Sequence, residues 1–367
     1  MSGAELEGRR IAAVLATSTG GVGTHVRSLL PALARAGART RVCGPAATDS
    51  LFGFSSAAAF RPVQISAVPG DPRAVLALAR ATAGAELVHA HGLRAGLVAA
   101  LARAAGHGGA PLVLTLHNAL QPGAGAKQAL LGRVEAATIR AADLVLAASG
   151  DLAENAWAAG ARDVRVAPVS APPLPPVTRS RGEVRAELGV PQGRPLVLAV
   201  GRLHPQKGYD TLLDAAAGWT DGPWVAVAGD GPLAAELTAR ITAERLPVRL
   251  LGRRTDVADL MGAADLCVLP SVWEARSLTA QEALRSGTPL VATRVGGIPE
   301  LVGDAAELVP PGDPAALSAA VGALLGDPVR AAALAEAGRA RAATWPDEAG
   351  TARSLVAVYR ELLGPVP

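Results

Sequence analysis

Cysteine, lysine and aromatic residues are scarce in this sequence of 367 residues. The two cysteines, Cys43 and Cys267, have no Cys-x-x-Cys or Cys/His spacing around them, which argues against a disulfide framework and against a zinc site. We expect both to be buried thiols. Aromatic residues make up only 3% of the chain, and no dense Lys/Arg stripe is interleaved with them. Nucleic acid is therefore not an expected partner.

Long apolar runs are also absent. No stretch reaches the roughly 18 uninterrupted apolar residues that a transmembrane helix needs. The N-terminal residues MSGAELEGRR lack the basic region and the long apolar region of a signal peptide. We expect a soluble, cytoplasmic protein.

Apolar residues are abundant, at 50% of the sequence, and they recur in a regular pattern. Short apolar runs alternate with longer segments of helical period, which is typical of parallel sheets flanked by helices. The length favours two domains of about 100 to 200 residues each. The predicted strands are residues 11–16, 40–43, 87–90, 112–116, 144–148 and 164–167 in the first half, and 196–200, 224–228, 248–251, 266–269 and 290–292 in the second.

A proline-rich stretch separates the two halves. Five prolines lie between residues 168 and 176, a density that neither a helix nor a central strand tolerates. We therefore predict an α/β protein with two doubly wound, Rossmann-like domains facing a central cleft. Such folds bind ligands at the carboxyl ends of their strands, so the ligand site is expected in that cleft. The predicted bounds are 1–167 for the N-terminal domain, 168–182 for the linker, 183–345 for the second domain, and 346–367 for a last helix that crosses back to the first domain.

Two cations and two glycines meet at the end of a predicted strand, in the segment 201–208 that reads GRLHPQKG. Arg202 offers a rigid fork of donors to phosphate oxygens, and Lys207 offers a movable point charge. Gly201 and Gly208 allow the backbone to approach a ligand closely. A diphosphate site has these requirements. Taken alone, the segment is also compatible with a solvated loop that carries incidental charges.

Two glutamates, Glu274 and Glu282, stand eight residues apart. Residues 277–279 are predicted to open a helix that runs to about residue 285, so their backbone N–H groups would form an anion site at its N-terminus. Glu282 would lie one turn inside the helix, and Glu274 would lie on the preceding loop. One carboxylate can then accept hydrogen bonds from ribose hydroxyls while the other faces a sugar.

The order and spacing of these motifs resemble the GT-B glycosyltransferases of the retaining group often called family 4, which carry Glu-x7-Glu after a strand and an earlier Arg-x4-Lys loop. The resemblance covers nearly the whole chain. It implies transfer of a sugar from a nucleoside-diphosphate sugar to an acceptor. The segments that carry it are 20–25 (GGVGTH), 201–207 (GRLHPQK), 229–232 (GDGP), 252–253 (GR), 274–282 (EARSLTAQE), 287–292 (GTPLVA) and 296–300 (GGIPE).

The resemblance also implies a role for each matching residue of the donor site. Arg202 and Lys207, in the loop that begins at Gly201, would bind the diphosphate. Glu282 would bind the ribose, Glu274 the donor sugar, and Leu278 and Thr279 would add backbone contacts to phosphate. Gly252 and Arg253 would lie near the base, while Gly21 and Gly23 would let the first loop of the N-terminal domain approach the sugar-diphosphate.

Three histidines of the first half belong to the same expectation. His117, at the end of a predicted strand, matches a family histidine close to the transferred sugar, and the alternative is a structural hydrogen-bonding residue. With Arg202, Lys207 and Glu274 it forms the predicted catalytic set. His25 and His91 are expected to help hold the acceptor, whereas His89 is expected to point into the core.

Two departures from the family pattern stand out. Where relatives commonly have Glu-Gly-Phe-Gly-Leu, this chain has Glu-Ala-Arg-Ser-Leu at 274–278. Arg276 could contact an acidic sugar, pair with a neighbouring carboxylate or point to solvent. The linker also reads Ala167-Pro168-Val169-Ser170 where many relatives have an Asn-Gly pair, which we interpret as a structural variation.

The chemistry of the predicted site favours transfer without a metal ion or other cofactor. A nucleoside diphosphate leaves readily once its charge is neutralised, and Arg202, Lys207 and a helix N-terminus can neutralise it. The sequence contains no Asp-x-Asp, the metal-binding motif of another glycosyltransferase fold. Retention of configuration is implied only by the resemblance. The donor is expected to be linked to UDP or GDP.

Charge is distributed unevenly and bears on the acceptor. Residues 1–178 hold 16 basic and 10 acidic residues, whereas residues 179–367 hold 19 and 22. The acceptor is expected to be a small molecule, a polysaccharide or a lipid-linked compound. The basic stretch 127–140 suggests peripheral contact with the inner face of a membrane, and the alternative is an ordinary solvated helix face.

Three other functions are compatible with parts of the sequence. A nucleotide-sugar epimerase or hydrolase would bind the same donor but would need its own acid/base carboxylates. A dinucleotide oxidoreductase fits poorly, because the third glycine of Gly-x-Gly-x-x-Gly would fall at Val26. A donor-binding protein without catalytic activity is the third alternative, and the intact donor residues argue against it.

Overall fold

The structure, a computed structural model, describes residues 5–18, 20–65, 70–106, 109–119, 125–219 and 222–365. The chain divides into two compact units. One comprises Met1–Pro172 together with Pro346–Pro367, and the other comprises Pro173–Trp345. Each unit is built around one parallel sheet with helices beside it, as the sequence predicts.

The first unit contains a seven-stranded sheet. Its strands are β1 (Arg10–Leu15), β2 (Arg39–Gly44), β3 (Ala59–Pro62), β4 (Leu87–His91), β5 (Leu112–Leu116), β6 (Leu144–Ala147) and β7 (Val164–Val166). All pairs are parallel, in the order β3-β2-β1-β4-β5-β6-β7. The order reverses between β1 and β4, and doubly wound sheets bind ligands at such a reversal. In the register, Leu15 lies beside His91, and His91 lies beside Thr115.

Before the second unit, the described residues form the helices α1 (Gly21–Arg35), α2 (Ala46–Phe52), α3 (Pro72–Thr82), α4 (Leu93–Ala104), α5 (Ala126–Ala141) and α6 (Gly150–Ala158). The start of α3 illustrates how the sequence sets a boundary. Asp71 accepts a hydrogen bond from the N–H of Arg73, and Pro72 occupies the first helical position. The same Asp-Pro pair begins two helices of the second unit.

The second unit contains a six-stranded parallel sheet. Its strands are β8 (Leu196–Val200), β9 (Trp224–Ala228), β10 (Val248–Leu250), β11 (Leu266–Leu269), β12 (Leu290–Thr293) and β13 (Glu307–Val309). The order is β10-β9-β8-β11-β12-β13, so the reversal lies between β8 and β11. The segments 201–208 and 270–277, which follow these two strands, therefore leave the sheet side by side.

The helices of the second unit are α7 (Arg181–Glu187), α8 (Tyr209–Ala216), α9 (Ala234–Glu244), α10 (Val257–Ala263), α11 (Leu278–Ser286), α12 (Ile298–Val302), α13 (Pro314–Leu325) and α14 (Pro328–Ala343). The linker prediction needs a correction here. Residues 168–172 belong to the first unit, and α7 already starts at Arg181, inside the predicted linker. Ser180 and Glu183 form a capping box that begins this helix.

The last helix, α15 (Glu348–Leu363), lies within the predicted range 346–367 and belongs to the first unit. Asp347 caps it by accepting a hydrogen bond from the N–H of Gly350. Its Leu355, Val356 and Tyr359 are buried in a core that also contains Ile11 and Leu33. The helix therefore completes the apolar core of the first unit.

Two strands were not predicted, and both lie at sheet edges. β3 reads AFRP and is largely exposed, while β13 is only three residues long. Neither carries the apolar run that marks a strand buried on both faces. The two cysteines are confirmed as free, fully buried thiols, Cys43 in β2 and Cys267 in β11.

Within the described ranges, no single helix is long and apolar enough to cross a bilayer. The segments Pro314–Leu325 and Pro328–Leu363 meet the length and composition requirements only when taken together, and they are bent by 99° relative to each other.

Candidate active site

The loop after β8 is held closely against the segment after β11. Its last part is a short 3-10 turn, Pro205–Lys207. Gly208 follows with a φ of 63°, and a Cβ atom there would lie 2.0 Å from the carbonyl oxygen of Pro270. Only glycine fits this approach. It brings the side chain of Lys207 to the carboxyl end of β11.

Lys207 and Glu274 form an ion pair at this edge of the sheet. The Nζ atom lies 2.5 Å from Oε1, and the two side chains are only 17% and 9% exposed. Ser271, which is fully buried, donates a hydrogen bond of 2.7 Å from its Oγ to the same carboxylate oxygen. The structure thus brings together two predicted donor-site residues that are 67 positions apart.

Ser271 and Thr293 are site residues that the sequence analysis missed. Thr293 Oγ1 donates a 2.5 Å hydrogen bond to the carbonyl of Ser271. The carbonyl of Glu274 accepts a hydrogen bond of 2.9 Å from the N–H of Gly297. These bonds fasten both ends of the loop that carries the carboxylate. No local sequence signal marks either residue, because their roles depend on contacts between segments that meet only in the fold.

Helix α11 begins where the sequence predicts. Ser277 is its N-cap, and its Oγ accepts a hydrogen bond from the N–H of Ala280. Thr279 Oγ1 donates to the carbonyl of Val200 over 3.1 Å, which ties the helix start to the end of β8. The N–H groups of Leu278 and Thr279 lie in the first turn, where no intrahelical acceptor exists. They are positioned to receive an anion.

Glu282 lies one turn inside α11 and is largely buried. Burial raises the pKa of its carboxyl to about 7, and the nearby charge of Arg285 lowers it by a smaller amount. Its carboxylate has no hydrogen bond or ion pair with the part of the chain that the structure describes. A carboxylate that is buried and unpaired is stabilised by any ligand hydroxyl that donates to it.

The remaining predicted donor residues lie on neighbouring loops at the same edge. The N–H of Gly229 donates to the carbonyl of Gly252 over 2.8 Å, and a Cβ atom at Gly229 would lie 1.8 Å from the carbonyl oxygen of Gly201. The loops after β8, β9 and β10 are therefore in contact. Arg202 and Arg253 are exposed on them, and neither pairs with an acidic group among the described residues.

Arg276 lies over an aromatic ring. Its guanidinium carbon is 5.5 Å from the centroid of Trp345, and that of Arg285 is 5.9 Å from the same centroid. Burial lowers the pKa of Arg276 to about 10, with smaller effects from the charges around it. Of the three predicted alternatives, none describes this contact. The arginine packs against an aromatic side chain of the same unit.

In the first unit, four buried histidines cluster near the reversal between β1 and β4: His25 of α1, His89 and His91 of β4, and His117 after β5. His91 Nδ1 lies 3.3 Å from His117 Nε2, and the ring of His25 lies 5.6 Å from that of His117. His89 is in the core, as predicted, and hydrogen-bonds Thr115 and Tyr359. The predicted sugar-site histidine and both predicted acceptor histidines are therefore neighbours.

All four imidazoles are held in the neutral form. Burial lowers the pKa of His25 to about 4 and that of His89 to about 3, the latter with help from the charge of His25. Burial and the charges of neighbouring histidines hold the pKa values of His91 and His117 well below the ordinary range. At neutral pH each ring therefore carries one N–H donor and one acceptor nitrogen.

The glycine loop of the first unit has a packing role. Gly21 is the first residue of α1, and a Cβ atom at Gly23 would lie 2.2 Å from the ring of Phe52. The N–H of Gly23 donates to Ser18 Oγ over 3.1 Å.

Within the described ranges, no group of three or more His, Cys, Asp or Glu side chains is arranged to hold a metal ion.

Comparisons with known families and proteins agree across the two units. Residues 194–327 match the family described as glycosyl transferases group 1, and residues 20–172 match the glycosyl transferase 4-like domain. An alpha-maltose-1-phosphate synthase of Mycobacterium tuberculosis is 32% identical over 94% of this chain and 96% of its own length. A D-inositol 3-phosphate glycosyltransferase of Xylanimonas cellulosilytica is 32% identical over 91% and 90%.

Solved structures show the same fold. The HepE protein of Anabaena in complex with UDP-glucose matches with a TM-score of 0.83 and 24% identity, over 96% of this chain and 99% of that one. A sucrose-phosphate synthase from Thermosynechococcus elongatus matches with a TM-score of 0.80 and 25% identity, over 96% and 99%. With two parallel, doubly wound sheets and these matches over nearly its whole length, the chain belongs to the glycosyl transferases group 1 and is a GT-B glycosyltransferase that uses a nucleotide sugar.

Proposed function

We propose that this glycosyltransferase transfers a hexose from a UDP-sugar to a hydroxyl group of a phosphorylated sugar or polyol, with retention of configuration and without a metal ion. The observation that carries the proposal is the partly buried ion pair of Lys207 and Glu274 beside the start of α11. It places a cation for phosphate, a carboxylate for sugar hydroxyls and free helix N–H groups within one edge of one sheet.

The donor diphosphate is assigned to Arg202, Lys207 and the first turn of α11. Arg202 is exposed and has no acidic partner among the described residues, so its guanidinium is available to phosphate oxygens. Lys207 supplies a second positive charge from the 3-10 turn. The first-turn N–H groups add donors of fixed direction. Together these groups stabilise the negative charge that develops on the leaving phosphate.

The two carboxylates are assigned to the two sugars of the donor. Glu282, buried and unpaired, would accept hydrogen bonds from the ribose hydroxyls. Glu274, held by Ser271 and Lys207, would accept hydrogen bonds from the hydroxyls of the transferred hexose. UDP is favoured as the nucleotide because HepE, which has the same fold, was crystallised in complex with UDP and with UDP-glucose.

In the proposed reaction the bond between the anomeric carbon and the phosphate oxygen breaks, and a bond from the anomeric carbon to the acceptor oxygen forms on the same face. The acceptor proton passes to the leaving phosphate oxygen. His117 would contact the transferred hexose as a neutral hydrogen-bonding group, because burial disfavours its cationic form. The cations of the second unit take the charge-neutralising role that a metal ion has in other transferases.

The acceptor class rests on charge and on the relatives. Residues 1–178 carry six more basic than acidic side chains, 16 against 10. Two relatives that align over nearly the whole chain have names that contain a phosphorylated carbohydrate or polyol, maltose-1-phosphate and inositol 3-phosphate. An excess of positive charge favours an anionic acceptor.

A second proposal concerns a membrane surface. In α5 only Thr138 and Ile139 are buried, and Leu130 is 60% exposed next to the exposed Arg133. We propose that a lipid-linked acceptor would be approached through this helix at the cytoplasmic face. Sedimentation with vesicles that contain anionic lipid tests it: Leu130→Glu should reduce binding, and equal sedimentation with neutral vesicles would contradict it.

The proposed function is tested by offering the protein UDP-, GDP- and ADP-sugars with and without phosphorylated sugars and inositol phosphates. NMR of the product reports the anomeric configuration, and addition of EDTA reports the need for a metal. We expect an α-linked product from an α-linked UDP-hexose at an unchanged rate in EDTA. Epimerisation or hydrolysis of the donor at the same rate with and without acceptor would instead support the nucleotide-sugar epimerase or hydrolase alternative.

A further inference from the structure

His91 is clamped between two other histidines of the first unit. The centroid of its ring lies 4.0 Å from that of His89, with the planes tilted by 33°. The centroids of His91 and His117 are 5.6 Å apart, with planes only 21° apart, and their facing nitrogens are 3.3 Å apart. His91 therefore rests its face on one histidine and turns its edge, through Nδ1, to Nε2 of the other.

His89 is immobilised at both ring nitrogens. Its Nδ1 lies 2.6 Å from the hydroxyl of Tyr359 on α15, and its Nε2 lies 2.6 Å from the hydroxyl of Thr115 on β5. It is 1% exposed. The surface on which His91 rests is thus fixed by two secondary-structure elements, and His91 has little freedom to leave its place.

The contact between His91 and His117 constrains where protons lie. Two neutral imidazoles whose nitrogens face each other share a single proton, because two N–H groups would clash and two lone pairs would leave both buried nitrogens unsatisfied. The depressed pKa values of both rings agree with neutral forms. One proton position therefore determines the tautomer of both residues.

We propose that His91 is a positioning residue for glycosyl transfer: its hydrogen bond occupies Nε2 of His117, fixes the ring and selects one tautomer, and thereby leaves Nδ1 of His117 to meet the substrate. The inference rests on the proposed function, in which His117 contacts the transferred hexose. It assigns His91, which is 4% exposed, to orienting His117, a different role from holding the acceptor.

The first test is the tautomeric state of His117 in the protein without substrate. The chain has six histidines, so 15N-labelling of histidine gives a spectrum that can be assigned, with His117→Gln identifying the signals of His117. We expect a single neutral tautomer in the wild type and exchange between both tautomers in His91→Leu. His91→Asn places an amide near the position of Nδ1 and should restore a single form. An unchanged His117 spectrum in His91→Leu would overturn the proposal.

The second test is turnover with the best UDP-sugar and acceptor found for the wild type. His91→Leu should lower kcat by about tenfold or more, as expected when a group that contacts the substrate loses its orientation, while the affinity for UDP changes by less than about twofold because the nucleotide is assigned to the second unit. His91→Asn should recover most of kcat. Equal kcat values in His91→Leu and the wild type would contradict the proposal.

A matched control separates positioning from general damage to the core. Thr138→Val removes another buried hydroxyl of the first unit, one that donates to the carbonyl of Val134 and that bonds to none of the four histidines among the described residues. It should retain the single tautomer of His117 whatever it does to stability. Mixed tautomers in Thr138→Val would overturn the assignment to His91. Failure of the wild type to turn over any nucleotide sugar would contradict the proposed function alone, because the tautomer test needs no substrate.

Discussion

The ammonium group of Lys207 lies 2.5 Å from the carboxylate of Glu274, so two residues predicted to bind different parts of one donor neutralise each other. A donor diphosphate would draw Lys207 away from this pair. Ser271 would then remain as the hydrogen-bond partner that holds Glu274 for the hexose. If both assignments hold, diphosphate binding and sugar recognition would be linked through Lys207.

Ser271→Ala tests that link. The variant removes a buried hydrogen bond to a charged group, which is worth about 1.5 to 3 kcal/mol, so the affinity for UDP-glucose should fall by at least about tenfold. The affinity for UDP should change by less than about twofold, because UDP has no hexose for Glu274 to bind. Calorimetric titration of both ligands measures the difference. An equal loss for UDP and UDP-glucose would show that Ser271 supports the fold of the loop only.

Glu282 predicts a dependence of donor affinity on pH. Burial raises its pKa to about 7, above the ordinary value, and the ribose hydroxyls of the proposed donor would donate to the ionised form. Donor affinity should therefore rise by about tenfold between about pH 6 and pH 8, as the ionised fraction increases. The titration needs an intact nucleotide sugar, because the terminal phosphate of free UDP itself ionises near this range, with a pKa of about 6. Glu282→Gln should abolish the dependence, and its persistence in that variant would contradict the assignment.

Much of this architecture follows from the sequence, because the elements that carry it are marked by local signals. Buried parallel strands such as 196–200 are continuous apolar runs, and the start of α11 at Ser277 is marked by a capping residue. The strands that were missed, Ala59–Pro62 and Glu307–Val309, are short edges whose side chains are partly solvated. A strand that is buried on one side only lacks the continuous apolar run by which a central strand is identified in a sequence.

The details of the site depend on contacts that local signals do not encode. Lys207 meets Glu274 across 67 residues, and His89 meets Tyr359 across 270. Motif resemblance named Glu274 and His117 without showing which neighbours hold them. Ser271, Thr293 and Trp345 became visible only when the strands were placed side by side.

The histidine cluster predicts acid sensitivity of the first unit. The pKa values of His25, His89, His91 and His117 are lowered in the folded state, so the unfolded chain binds more protons below about pH 6.5. Stability should be fully present above about pH 6.5 and should fall as the pH drops towards 5, by about 1.4 kcal/mol per pH unit for each proton taken up. Glu282 acts in the opposite direction, but it is a single group and lies in the second unit.

His25→Leu isolates one of these protons. Burial alone lowers the pKa of His25. Among the described residues its side chain makes no hydrogen bond that the substitution would break. The variant should show a shallower decline of the unfolding free energy between about pH 7 and pH 5, measured by urea denaturation. A slope identical to that of the wild type would indicate that His25 is protonated in the folded state.

The contact between Arg276 and Trp345 should contribute to stability whichever sugar the donor carries. Its guanidinium lies over Trp345, a contact worth about 0.5 to 2 kcal/mol. Arg276→Ala should therefore lower the unfolding free energy of the second unit by about 1 kcal/mol. It should not change the ratio of affinities for UDP-glucose and UDP-glucuronic acid, measured by calorimetry. Selective loss of the acidic sugar would instead place Arg276 in the sugar site.

Lys207→Ala compared with Lys127→Ala tests the central claim most directly, because these are the two lysines of the chain and only Lys207 stands in the proposed donor site. Calorimetry with the nucleotide sugar in solution, followed by a transfer assay, measures both steps. Lys207→Ala should weaken donor binding by about tenfold to a hundredfold, the value of a hydrogen bond to a charged group, and should abolish transfer, while Lys127→Ala keeps the donor affinity of the wild type. Wild-type donor affinity and transfer in Lys207→Ala would contradict the account.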